Sequence, residues 1–94
     1  DGEYDISGTQ INKQIIVSSS CTINLNTFSL TNSGSLTPIL VEDDQTLNLV
    51  LTGESTLQDS STNENDCTIY LEEGASLIIS GTGTLNINPY KWWL

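Results

Sequence analysis

The sequence predicts an all-β fold, specifically a short right-handed parallel β-helix with three faces and about three to three-and-a-half coils. Three observations carry this. Apolar and polar residues alternate with period two almost throughout, as in Ile23-Asn24-Leu25 and Leu47-Asn48-Leu49. That period marks half-buried strands, and no ten-residue stretch carries a helical stripe. The strands also repeat every 24 to 30 residues, three per repeat. Finally, no Asn-Gly or Asp-Gly pair lies between the predicted strands. The two-residue hairpins of a meander or a small β-sandwich, the competing fold, are therefore not indicated.

Each element follows from these repeats. Tyr4 and Ile6 open the chain as a third-face strand, because Ile6 to Ile15 and Leu30 to Ile39 are both nine residues apart. The first face holds Ile15-Ile16-Val17, Ile39-Leu40-Val41 and Ile69-Tyr70-Leu71. The second holds Ile23/Leu25, Leu49/Leu51 and Leu77/Ile79, and the third Leu30, Leu57 and Leu85. Gly53 and Gly81 mark matching corners between second and third faces. Residues 90–94 begin one more first-face strand. The predicted core is the inward set of these strands, from Tyr4 and Ile6 to Leu85 and Ile87, with one 94-residue domain and a small core. Three coils at about 4.8 Å each make the two uncapped end faces as large a problem as the sides.

Composition excludes several functions. Acids number 12 and bases two, Lys13 and Lys91, giving a net charge of −10. Nucleic-acid binding needs clustered Lys and Arg, so no nucleic-acid partner is expected. With no His there is no imidazole for a nucleophilic triad or a transition-metal site, and no catalytic residues are assigned. No apolar run exceeds three residues, so no membrane span is expected. A chain beginning at Asp1 is what a secreted product with its leader removed would show, which suggests an extracellular location.

The ordered motifs Ile6-Ser-Gly-Thr9, Gln14-Ile-Ile-Val17, Ile23-Asn-Leu-Asn26, Pro38-Ile-Leu-Val41, Thr68-Ile-Tyr-Leu71 and Ser80-Gly-Thr-Gly-Thr-Leu85 cover roughly residues 4 to 88. Together they resemble the extracellular bacterial carbohydrate-binding domain-containing β-helix proteins, related in shape to pectate lyases. The resemblance implies a right-handed parallel β-helix that binds acidic plant polysaccharide and calcium.

Four residue groups are candidates for function. Glu42, Asp43 and Asp44 should stack one coil from Glu72 and Glu73, and such oxygen ligands suit Ca²⁺; the alternative is a solvated acidic corner. Ile16, Leu40 and Tyr70 form an outward apolar ladder suited to lateral contact, or simply to strengthening the strands. Tyr4, Ile6, Ile87, Tyr90, Trp92, Trp93 and Leu94 lie at the two ends and suit self-association, with the terminal aromatics alternatively a sugar platform. Ser, Thr and Asn number 12, 12 and 9. Their outward ladders, Thr22/Asn48/Ser76 and Asn26/Thr52/Ser80, could carry O-linked sugar, since no Asn-x-Ser/Thr acceptor exists. Cys21 and Cys67 fall two coils apart, so no bond between them is expected within one chain.

Two functions follow. The first is a non-catalytic structural module that stacks head to tail with itself into a fibre, a homopolymer that could be glycan-coated. The second is a carbohydrate-binding module for acidic polysaccharide, with Ca²⁺ as its bridging ion.

Overall fold

The computed structural model describes residues 2–32, 37–59, 68–88 and 92–93. Its elements are β1 (Glu3–Ile11), β2 (Ile15–Val17), β3 (Cys21–Asn32), β4 (Ile39–Val41), β5 (Thr46–Thr52), β6 (Glu54–Asp59), β7 (Ile69–Leu71), β8 (Ser76–Gly81), β9 (Thr84–Asn88) and β10 (Trp92–Trp93). The all-β expectation is met, and among the described residues every strand pairing is parallel.

The three-faced β-helix is not what forms. The strands lie in two sheets. A curled six-stranded sheet has the order β8-β5-β3-β6-β9 with β1 on the other edge of β3, and a four-stranded sheet has the order β10-β7-β4-β2. The predicted second and third faces are one surface because β3 runs unbroken through both. It bends at Thr27, whose φ is +51°, where the register against β1 slips by one residue between Ser7 and Gly8. A one-residue bulge bends a strand without ending its ladder, so no separate third sheet arises.

Three further expectations are corrected. Tyr4 and Ile6 pair with Ile23 and Leu25, on the part of the large sheet assigned to the second face, and Gln10 takes the place beside Leu30. Leu77 and Ile79 pair with Leu47 and Leu49, and Ile87 rather than Leu85 pairs with Leu57. Gly81 lies beside Leu51, which leaves Gly83 at the Gly53 corner. A slip of two residues keeps every side chain on its face, so alternation alone could not choose between the registers. The turn chooses: Val41 to Leu47 and Leu71 to Leu77 are both six residues.

The core lies between the sheets. Ile39, Val41, Ile69 and Leu71 of the small sheet bury against Ile23, Leu25, Leu30, Leu47, Leu49, Leu51 and Leu57 of the large one. Burial weakens toward the outer layers. Ile79 is 43% exposed and Tyr4 57%, although their register partners Leu49 and Ile23 are buried. Phe28 joins the core beyond the predicted set, its N–H donating to the buried Ser55 hydroxyl at 3.0 Å. Asn32 is fully buried at the end of β3. Its Oδ1 accepts from the Lys13 N–H at 3.0 Å and its Nδ2 donates to the Lys13 carbonyl at 2.6 Å, which carries the backbone ladder around the link from β1 to β2.

Candidate functional site

The small sheet alternates strictly. In β7, Ile69 and Leu71 point into the core, which turns Tyr70 outward, and it is 41% exposed. Parallel pairing then stacks Ile16, Leu40 and Tyr70 in one register column, with the Trp93 backbone in the next position beside Tyr70. The predicted apolar ladder is therefore in register, and Ile16 is 52% exposed.

A tight turn follows β4, and another follows β7. The Gln45 N–H donates to the Glu42 carbonyl at 3.1 Å, and the Ala75 N–H to the Glu72 carbonyl at 2.9 Å. The third residue of each turn has positive φ, +62° at Asp44 and +77° at Gly74. Asp tolerates that region and Gly adopts it freely. The turns stack as the strands do, the Asp44 N–H donating to the Glu73 carbonyl at 3.0 Å. A Cβ on Gly74 would run into the Asp44 carboxylate, so the second turn needs its glycine. The turn after β2, Ser18 to Ser20, is two residues shorter. The Gln45 side chain fills the difference, its Oε1 accepting from the Ser20 N–H at 2.9 Å.

Because the turn leaves β7 directly, its carboxylates arrive beside Tyr70. Asp43, Tyr70, Leu71, Glu72, Glu73 and Gly74 line one groove of about 460 Å³. Of the five predicted metal ligands, Asp43, Glu72 and Glu73 meet in this groove, while Glu42 and Asp44 do not line it. Among the described residues no three acidic or thiol groups are arranged to hold a metal ion.

The end residues are more dispersed. Tyr4 and Ile6 line an open cavity at the β1 and β2 end with Ile15, Val17, Cys21 and Ile23. Cys21 is a half-buried free thiol beside Leu47. Ile87 is half-buried on β9, at the other end of the stack, and the backbones of Trp92 and Trp93 pair with Ile69 and Tyr70. Tyr90, Leu94 and Cys67 lie outside the described residues. The outward polar ladders are Thr22/Asn48/Ile78 and Asn24/Val50/Ser80, so the expected Ser76 and Ser80 positions are each two residues out.

An exposed tyrosine bordered by carboxylate hydrogen-bond acceptors is a surface on which a sugar can lie. The model of a family described as carbohydrate-binding domain-containing protein matches residues 1–91. The chain belongs to this family. No curated protein and no solved structure matches it. The chemistry of the Tyr70 groove suits a ligand of the class this family is named for. The negative face of an aromatic ring attracts the polarised C–H bonds of a pyranose, and carboxylates accept from its hydroxyls.

The sequence contains both halves of this groove but assigns them to different features, Tyr70 to a lateral ladder and Glu72 and Glu73 to a metal site. The run Tyr70-Leu71-Glu72-Glu73 joins them in part, and Asp43 reaches the groove from the stacked turn one layer away.

Proposed function

We propose that the protein is a non-catalytic, extracellular carbohydrate-binding module that holds a polysaccharide against the outer surface of the small sheet. The observation that carries this is the Tyr70 groove, in which an exposed aromatic ring and three carboxylates share one concave surface in a chain of this family. Leu40 and Ile16 extend the platform across successive layers. The layers are about 4.8 Å apart, a step that suits an extended glycan chain. The groove favours an uncharged polysaccharide. An acidic one would meet Asp43, Glu72 and Glu73 on a chain of net charge −10 and would need a bridging cation such as Ca²⁺.

Affinity electrophoresis through gels of hydroxyethyl cellulose, arabinoxylan or polygalacturonate, each with and without EDTA, tests the reading. Retardation by a neutral glycan, insensitive to EDTA and weakened at least tenfold by Tyr70→Ala, is expected, a loss of about 1.4 kcal/mol or more. Undiminished retardation of Tyr70→Ala would remove the site. Retardation confined to polygalacturonate and abolished by EDTA would replace the neutral ligand with an acidic, calcium-bridged one.

Head-to-tail self-association is a second reading, favoured by one observation. Tyr4 and Ile79 stand exposed at opposite ends of the stack while their register partners are buried, as expected where another layer would add. Sedimentation at high concentration decides it, and a monomer there excludes the fibre.

A further inference from the structure

The outer face of the large sheet carries a second groove, of about 390 Å³, lined by Asp5, Ile6, Ser7, Asn24, Asn26 and Thr52. It lies next to the Thr27 bulge, where β1 and β3 change register. Asn24 is held in place. The Asn24 Nδ2 donates to Glu3 Oε2 at 2.9 Å and to Asp5 Oδ1 at 2.7 Å, which uses both of its N–H groups and fixes its carbonyl oxygen as an acceptor. The Asn26 amide, 3.4 Å from the Thr27 hydroxyl through its Oδ1, adds a further donor and acceptor. Ser7 and Thr52 add hydroxyls that donate or accept, and Thr52 pairs with Asn26 across the strands.

This set selects one chemistry. It holds no base to attract an anion, and its one apolar member, Ile6, is half-buried. A ring of neutral hydroxyls, each able to donate and accept, complements closely spaced amides, hydroxyls and a carboxylate. We infer that this groove is a second subsite for an uncharged glycan, bound by hydrogen bonds alone, on the far side of the core from Tyr70. The inference takes its ligand class from the Tyr70 reading but rests on different residues. Two subsites facing away from one another across the core let one molecule bridge two polysaccharide chains, where a single site could only coat one.

The test uses hydroxyethyl cellulose and arabinoxylan, with gel retardation and solution viscosity as readouts. The unaltered protein should raise viscosity. Asn24→Ala combined with Asn26→Ala should abolish that rise and weaken retardation about threefold, and Tyr70→Ala should leave a residual retardation that the Asn pair removes. Thr52→Arg, an exposed change that fills the groove, gives the same reading should the Asn variant not fold. Unchanged viscosity and retardation in both groove variants would overturn the second subsite and leave the Tyr70 site standing. Loss of all binding in the groove variants, with Tyr70→Ala unaffected, would do the reverse. No retention on either neutral glycan would overturn both.

Discussion

The two outer surfaces of this molecule are built on the same parallel ladders yet carry opposite chemistry. On the small sheet the outward column is Ile16, Leu40 and Tyr70. On the large sheet the outward positions include Thr22 and Asn48, Asn24, and Asn26 and Thr52, with Ile11, Val50 and Ile78 as apolar exceptions. Inward positions are constrained by the core on both sheets. Outward positions need only suit a strand, and the large sheet shows that polar residues do so. The apolar column of the small sheet is therefore not demanded by folding.

The most severe way to break this comparison is to remove the frame both surfaces share. Leu49 is fully buried between the sheets, and Leu49→Ala should cost about 2–5 kcal/mol, read as a lower midpoint in urea, with glycan binding at both surfaces weakened in parallel. Asn32→Ala comes next. It removes the two hydrogen bonds that one side chain makes to the Lys13 backbone at the link from the large sheet to the small one, and should cost about 1–3 kcal/mol in the same measurement. The smallest change sharpens the comparison. Tyr70→Phe keeps the ring and removes only an exposed hydroxyl, so stability should move by less than about 0.5 kcal/mol and gel retardation should largely persist. Loss of retardation in Tyr70→Phe would mean that the hydroxyl, not the ring face, holds the sugar.

Much of the strand content was legible because alternation records burial directly. Ile39, Val41, Leu47, Leu49, Leu57 and Ile69 were all expected inside and are fully buried. The number of sheets was not legible. Whether a strand bends or breaks at a corner depends on one backbone angle, and Thr27 at positive φ looks like any strand threonine in sequence. Buried polar positions were hidden for a related reason. Asn32 and Ser55 are inside because they bond backbone N–H and C=O groups, which an apolar pattern does not record. The candidate site was legible in its parts only, since the turn geometry that brings Glu72, Glu73 and Asp43 against Tyr70 is a property of two layers and not of one segment.

The offset between paired strands has a consequence for how such a chain can grow. From β4 to β7, from β5 to β8 and from β6 to β9 the offset is 30 residues at every position, as in Ile39 to Ile69, Leu47 to Leu77 and Leu57 to Ile87. Earlier offsets vary, 24 at Ile15 to Ile39 and 26 at Cys21 to Leu47. A constant offset of 30 over every one of these described pairs makes the period itself a unit of growth. A further copy would come between two existing layers, take up the same register on both sides, and lengthen the outward column of the small sheet by one position.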